Sequence, residues 1–175
     1  FAKEEEIEKL DPLTPYDASK LFCEELIRAY ARCFGMKPII LRISYLYGKY
    51  QSRGSLLENL ARKVQEGEIV EIGNDVARDF LNAADLSSLF EKLLDFEGEG
   101  TFNVGSGVET RISEIVKTIA TVLGKEIEVR RDPGLVRDNR LEKWHERANI
   151  GKVIKTIGWR HFLSLREGVE MWLGS

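Results

Sequence analysis

This sequence has few cysteines and histidines, no long apolar run and almost no excess of one charge. Two cysteines and two histidines in 175 residues make a disulfide-stapled fold improbable, and His145 and His161 lack the spacing of metal ligands, so no metal is expected. No apolar stretch approaches the roughly 18 residues of a membrane-spanning helix. The 26 basic and 29 acidic residues are interspersed and leave a net charge of -3. We therefore expect neither a nucleic acid nor a membrane as a partner.

The two cysteines also bear on the compartment. Cys23 and Cys33 lie ten residues apart on one predicted helix, which places them on different turns and too far apart for a disulfide. They are predicted to be reduced packing residues, and the protein is predicted to be cytoplasmic. The hydrophobic content of 43% is enough for a substantial buried core.

Helices and strands alternate along the chain, as they do in α/β proteins. Apolar residues at helical spacing predict helices over residues 16–34, 82–96 and 112–123. Capping boxes that begin at Ser55 and Ser164 open two more helices. Short β-branched runs predict strands over residues 38–43, 69–72, 101–104 and 126–130. The first of these runs is apolar nearly throughout, which is typical of a strand buried on both faces of a parallel sheet.

Tyr16 and Lys20 form a Tyr-x-x-x-Lys pair within the run PYDASK of residues 15–20. A spacing of four places both side chains on one face of a helix, where the ammonium favours the ionised phenol. Free tyrosine, with a pKa near 10, is only about a thousandth ionised at pH 7, and lowering that pKa to 7 takes roughly 4 kcal/mol. The pair therefore predicts an acid or base that works at neutral pH.

The position of the pair is unusual. Enzymes that use it bind a dinucleotide on a glycine-rich turn upstream, and one βαβ unit needs about 30 residues, yet only fifteen residues precede Tyr16. The chain is therefore expected to be the C-terminal portion of a longer enzyme. The downstream turn Gly105-Ser106-Gly107 has Thr110 where a third glycine would stand, so we interpret it as a tight connection near the substrate rather than a cofactor site.

Five blocks in order resemble the extended short-chain dehydrogenases/reductases that act on nucleotide sugars, the NAD-dependent epimerase/dehydratase family. The resemblance runs from about residue 12 to residue 172. The blocks are PYDASK (15–20), LRISYLYG (41–48), RDFLNAAD (78–85), NVGSG (103–107), and IGW (157–159) followed by SLREG (164–168).

The resemblance implies roles for seven residues. Tyr16 would be the catalytic acid or base and Lys20 its partner, also bonded to the nicotinamide ribose, while Ile43 and Ser44 would pass beside the nicotinamide. Three residues would contact the substrate, two of them arginines at the diphosphate: Tyr45, which stands where many members have asparagine, Arg78 and Arg137. Six of the seven have a plainer alternative. Tyr16 and Lys20 would be an exposed pair on a helix, and Ile43 and Ser44 would be packing at the end of a strand. Arg78 would form a surface ion pair with Asp79 or Asp85, and Arg137 would be a solvated charge.

The resemblance further implies the C-terminal part of a Rossmann-like doubly wound parallel sheet plus a smaller α/β substrate-binding subdomain, without the N-terminal dinucleotide-binding half. Residues 1–50 would end the Rossmann-like domain and residues 51–175 would form mainly the subdomain, with 69–96 returning to the Rossmann-like part. The complete enzyme would use NAD or NADP on a nucleotide sugar, as an epimerase, dehydratase or reductase.

Two functions remain open for the 175 residues themselves. In the first they are one portion of this enzyme, inactive alone. In the second they are a non-catalytic remnant or assembly module that forms a homodimer or pairs with a separate NAD-binding chain, because lost strands would leave an open sheet edge and an uncovered apolar helix face.

Overall fold

The computed structural model describes residues 14–135 and 146–174, which form an α/β structure. The helices are α1 (Pro15–Phe34), α2 (Leu56–Glu66), α3 (Ala83–Leu93), α4 (Ile112–Leu123), α5 (Gly151–Ile157) and α6 (Leu165–Leu173). The strands are β1 (Ile39–Ile43), β2 (Tyr45–Tyr47), β3 (Val70–Ile72), β4 (Ala77–Arg78), β5 (Phe80–Asn82), β6 (Gly100–Val104), β7 (Thr110–Arg111) and β8 (Val129–Arg131). Among these residues, none of the helices combines the length and apolar character needed to span a bilayer.

The helix α1 has well-defined ends. The Thr14 side chain accepts a hydrogen bond from the Asp17 backbone amide, and the Asp17 carboxylate accepts one from the Thr14 amide, which closes a capping box. At the other end Gly35 adopts φ 65°, the left-handed conformation that glycine tolerates best. These signals explain why the predicted helix over residues 16–34 is confirmed almost to the residue.

Two parallel strand pairs follow one another in the chain. β1 pairs with β6 and β2 pairs with β5, both in parallel register. The change of partner occurs at Ser44, whose amide donates to the Val104 carbonyl at 2.9 Å, while the Tyr45 amide donates to the Asp79 carbonyl at 3.0 Å. Elsewhere β3 pairs with β8 in parallel and β4 with β7 antiparallel. The short segment between β1 and β2 is thus the point where one sheet gives way to the next.

The buried apolar residues form two clusters. The larger lies between α2, α4, α6 and their strands, and its buried members are Tyr47, Leu57, Leu60, Ala61, Val64, Val70, Val76, Phe80, Ile112, Ile115, Val116, Ile119, Ala120 and Val169. The smaller lies between α3, α5 and the β1–β6 pair, and its buried members are Leu81, Leu86, Leu89, Phe102, Val104, Val153 and Trp159. The domain boundaries stated above stay a prediction.

Several expectations need correction. Only Ile40 of β1 is fully buried and Ile43 is 40% exposed, so this strand is not buried on both faces. Cys23 and Cys33 are exposed and unpaired rather than packed. The Ser55 side chain caps α2, but the Glu58 carboxylate accepts from the Gly54 amide instead of closing the box on Ser55. The strands β2, β4, β5 and β7 and the helix α5 were not predicted, since two to seven residues are too few to show a period.

Gly168 in α6 yields a stability prediction. An added Cβ there would collide with the Tyr47 hydroxyl, and overpacking of this kind costs about 1–3 kcal/mol. Gly168→Ala is therefore expected to lower the free energy of unfolding in denaturant titrations by about that amount. In a Tyr47→Phe background, which lacks the hydroxyl, the same change should cost clearly less. An equal loss in both backgrounds would contradict this account of the glycine.

Candidate active site

A cavity of about 440 Å³ lies at the carboxyl end of β1. It brings together four of the predicted site residues, Tyr16, Ile43, Ser44 and Tyr45. Its complete lining is Tyr16, Arg42, Ile43, Ser44, Tyr45, Asp79, Asn103, Glu146, Arg147 and Ala148. Lys20 and Arg78 lie beside the lining rather than in it, and Arg137 lies outside the described residues. Polar groups that converge on one concave site are the usual setting of a small-molecule site.

Tyr16 and Lys20, the predicted Tyr–Lys pair, are neighbours on one face of α1. The Lys20 ammonium nitrogen lies 5.1 Å from the centroid of the Tyr16 ring, close enough for an attractive contact between the cation and the aromatic face. Tyr16 is 68% exposed although it borders the cavity. Its side chain is therefore accessible to a ligand in the cavity.

Tyr47, two residues beyond Tyr45, has a different environment. Burial raises the pKa of its phenol to about 12, the Asp85 charge adds to the rise, and a hydrogen bond with Asn82 opposes it. The Asn82 side-chain amide also donates to the Gly168 carbonyl at 3.0 Å. Tyr47 is thus a neutral core residue at physiological pH, and it is buried whereas Tyr16 is exposed.

The wall of the cavity is held by Asp79, a residue to which the sequence analysis gave no role in the site. Asp79 is fully buried. Its carboxylate accepts hydrogen bonds from the Ser106 amide and hydroxyl, both at 2.7 Å, the Gly107 amide at 2.9 Å and the Ala148 amide at 3.1 Å. The Ser44 hydroxyl adds a longer one at 3.3 Å. One carboxylate thereby joins three chain segments around the cavity.

Gly105 shows how tightly this wall is packed. A Cβ at Gly105 would lie 2.7 Å from an Asp79 carboxylate oxygen and 2.9 Å from the Ser44 hydroxyl. The backbone of the turn that follows β6 therefore passes close to the Asp79 side chain. This contact gives the NVGSG block a structural reason and agrees with its interpretation as a tight connection.

Arg78 is buried, with 8% of its surface exposed, beside Tyr45. Its Nε donates to the Tyr45 hydroxyl at 3.2 Å and its Nη1 to the Ala77 carbonyl at 3.0 Å, and Glu146 forms an ion pair with it at 3.6 Å. The alternative of a surface pair with Asp79 or Asp85 is wrong, because the arginine is buried. The Asp85 carboxylate instead accepts from the Phe162 amide at 2.6 Å.

Glu24 and Arg42 form the principal ion pair between α1 and β1. Arg42 donates from Nε and Nη2 to the two Glu24 carboxylate oxygens, at 2.6 and 2.5 Å. Burial raises the pKa of Glu24, but the hydrogen bonds and charges of Arg42 and then Arg28 lower it by more, so the net pKa lies below its ordinary value of 4.5. The sequence holds one signal for Glu24: it follows Lys20 by four positions and therefore lies on the same face of the predicted helix.

The lowered pKa of Glu24 predicts a dependence on pH. A carboxyl whose pKa is depressed in the folded state stabilises the fold above its unfolded pKa and loses that contribution as the pH falls through the folded value. The stability advantage of the wild type over Glu24→Gln should thus be full above about pH 5 and shrink on acidification below 4.5. Parallel urea titrations from pH 7 to pH 3 measure this difference, and a difference that grows on acidification would contradict the assignment.

In residues 14–135 and 146–174 no group of three or more His, Cys, Asp and Glu side chains is arranged to hold a metal ion. The polar groups that line the cavity are the phenols of Tyr16 and Tyr45, the Ser44 hydroxyl, the Asn103 amide, the guanidinium groups of Arg42 and Arg147 and the carboxylates of Asp79 and Glu146. Such groups exchange protons and bind hydroxyls or phosphates.

Comparison with known proteins gives consistent results. The model of the NAD dependent epimerase/dehydratase family matches residues 2–105. GDP-6-deoxy-D-mannose reductase of Pseudomonas aeruginosa is 28% identical over 167 residues, which are 91% of this chain and 54% of that protein. The chain spans about half the length of such curated relatives.

Solved structures extend the likeness to the fold. UDP-glucose 4-epimerase of Thermotoga maritima, determined with UDP-glucose, has a TM-score of 0.83 at 23% identity over 93% of this chain and 53% of its own. The structure of RMD from Pseudomonas aeruginosa complexed with NADPH has a TM-score of 0.80 at 24% identity, over 99% of this chain and 60% of its own. These likenesses confirm the predicted Rossmann-like α/β class.

Proposed function

The chain belongs to the NAD-dependent epimerase/dehydratase family, and from that premise we propose that it supplies the proton-transfer site of an NAD(P)-dependent enzyme acting on a nucleotide sugar. The observation that supports this most strongly is the position of Tyr16, on the cavity wall with the Lys20 ammonium 5.1 Å from its ring centroid. The relatives act on related molecules: one is a GDP-sugar reductase and another was solved with UDP-glucose.

In the proposed reaction, Tyr16 accepts the proton of a sugar hydroxyl at its phenolic oxygen and later returns it. Lys20 places a positive charge beside the ring, 5.1 Å from its centroid. When bound, NAD(P) supplies the acceptor for the hydride that leaves the same sugar carbon. An oxidised sugar of this kind can be epimerised, dehydrated or reduced. Which of these reactions follows is determined by the residues around the sugar.

The donor set present fits the nicotinamide end of the cofactor. Tyr16 and Lys20 offer a hydroxyl and an ammonium for ribose hydroxyls, and Ile43 and Ser44 offer an apolar and a small polar wall for the ring. A volume of about 440 Å³ lies within the usual range of about 300–1,000 Å³ for ligand pockets. The relative solved with NADPH supports NAD or NADP as the cofactor of the complete enzyme.

For the substrate, we propose that Tyr45 and Arg78 act as one unit, with Arg137 as a further contact to the diphosphate. Tyr45 lines the cavity, and its hydroxyl accepts a hydrogen bond from Arg78 Nε. This bond holds a buried guanidinium next to the cavity wall, where its planar fork suits a phosphate group.

We further propose that the 175 residues do not turn over alone. The sequence contains no G-x-G-x-x-G turn, the element that seats the cofactor's pyrophosphate on a helix N-terminus. The assembled enzyme, meaning this chain joined to or mixed with an NAD-binding segment, should convert a nucleotide sugar in the presence of NAD(P). Turnover or micromolar NAD binding by the purified chain would refute the need for that segment. An assembled enzyme that does not convert GDP-, UDP- or dTDP-sugars would count against the proposed nucleotide-sugar activity.

The exposed face of α1 supports the second candidate, a module that assembles with another chain. Phe22, Leu26, Tyr30 and Phe34 follow one another at intervals of four, and each is between 44% and 69% exposed. A continuous apolar ridge of this kind normally marks an interaction surface. Either a second copy of this chain or a complementing NAD-binding chain would cover the ridge. We propose a cytoplasmic location for both forms.

This ridge gives a prediction about association. Light scattering of the purified chain should show a species larger than a monomer. Phe22→Asn combined with Phe34→Asn should shift the mass toward the monomer, since the apolar area that drives association is removed. Phe90→Asn on α3 is the matched control, because Phe90 is also 53% exposed, and it should leave the mass unchanged. A monomeric wild type would argue against the ridge as an interface.

A further inference from the structure

The helix that carries Tyr16 and Lys20 is attached to the rest of the molecule in an unusual way. Of its twenty residues only Glu24 and Ala31 are buried. Four of its long apolar side chains, Phe22, Leu26, Tyr30 and Phe34, form the exposed ridge, and Leu21 is only half-buried. A carboxylate, rather than a leucine or a phenylalanine, is therefore at the centre of the contact between α1 and the sheet.

The contacts of this carboxylate form a continuous network. Arg42 of β1 binds both Glu24 oxygens, and Arg28 donates to the same carboxylate at 2.9 Å. Arg28 also donates to the Thr101 hydroxyl of β6 at 3.3 Å. The helix is thus bonded to β1 through Glu24 and to β6 through Arg28, and Arg28 is itself paired with Glu24. The Arg42 and Glu24 side chains are only 18% and 12% exposed, so solvent screens the pair weakly.

The pair joins the two elements that carry the residues of the proposed chemistry. Tyr16, Lys20 and Glu24 are spaced by four, which places them along one face of α1. Arg42 immediately precedes Ile43 and Ser44, which border the cavity, and Arg42 itself lines it. We propose that Glu24 is a positioning residue, which fixes the Tyr16–Lys20 helix against the end of β1 through its two-point pair with Arg42; the benefit to catalysis rests on the proposed function.

The geometry explains why an ion pair would be used here. Apolar contacts have no direction, and a helix held by them can shift or rotate slightly on a sheet. A guanidinium that meets both oxygens of a carboxylate fixes the distance and the angle together. Compared with well-packed apolar residues, buried pairs of this kind add little net stability, although loss of one partner is costly; their best attested use is to select one register. A displacement of about 1 Å at a reacting group is enough to slow a reaction about a hundredfold.

Amide hydrogen exchange of the chain tests the positioning without any turnover. In Glu24→Gln and in Arg42→Lys, which keeps the charge but lacks the fork, the amides of α1 should exchange at least about tenfold faster. The amides of α4, which belongs to the larger core cluster, should keep their rates. Glu25→Gln is the matched control: Glu25 also pairs with Arg28, but its side chain is 66% exposed, so α1 should exchange as in the wild type.

Three results would overturn the proposal: unchanged exchange in α1 for both test variants, equal acceleration in α1 and α4, or the same acceleration in Glu25→Gln. In the assembled enzyme, Glu24→Gln should lower kcat with little change in the KM for the nucleotide sugar, since the substrate contacts are untouched. A change in that KM with kcat unaltered would also count against positioning. Absence of turnover in the unsubstituted enzyme would refute the proposed function only, because hydrogen exchange does not depend on it.

Discussion

Tyr16→Phe is expected to lower kcat of the assembled enzyme about 10²- to 10⁴-fold, the usual contribution of a positioned acid or base. The change removes one oxygen and keeps the ring that contacts Lys20. Because Tyr16 is 68% exposed, the free energy of unfolding should change by less than about 0.5 kcal/mol. A loss of turnover can then be assigned to proton transfer rather than to folding. Steady-state kinetics and urea unfolding of the same preparation measure the two effects.

The chain offers a matched control for this experiment. Tyr50 also has a lysine beside its ring, with the Lys49 ammonium 5.5 Å from the centroid, and it is 92% exposed. Unlike Tyr16, it does not line the cavity. Tyr50→Phe should therefore leave kcat unchanged. Equal activity of Tyr16→Phe and wild type, or an equal loss in both variants, would remove Tyr16 from the proposed reaction.

The contrast between these two tyrosines shows what local sequence can and cannot decide. The helix that places Tyr16 beside Lys20 could be predicted from its apolar spacing, and the cap at Thr14 and the terminal Gly35 that define its ends also act within a few residues. The approach of Ile43 and Ser44 to the same cavity followed from the family blocks. Neither signal required knowledge of how distant segments pack.

The rest of the site depends on such distant packing. Asp79 meets Ser106 across 27 positions and Ala148 across 69, and Glu24 meets Arg42 across 18. No period or short motif encodes those encounters, because each becomes possible only after the strands have paired. The change of partner at Ser44 was missed for the same reason: β2 and β5 have three residues each, and their pairing is defined by the sheet rather than by their own composition.

Asp79→Ala is expected to have the largest effect on stability. Removal of the carboxylate would leave the amides of Ser106, Gly107 and Ala148 without their acceptor, and an unsatisfied buried donor costs about 1–3 kcal/mol. Asp79 is itself fully buried, and its removal affects three bonds at once. The loss in the free energy of unfolding should reach about 3 kcal/mol or more by urea titration.

Two companions of Asp79→Ala separate the carboxylate's role from a simple loss of volume. Asp79→Asn keeps the size and one acceptor oxygen, so it should retain part of the stability. Ser44→Ala removes only the longest of the bonds, at 3.3 Å, and should cost less than about 1 kcal/mol. If Asp79→Ala were no more destabilising than Ser44→Ala, the three segments would have to be held by their apolar contacts. In that case the cavity wall that contains Asp79 would not depend on this carboxylate.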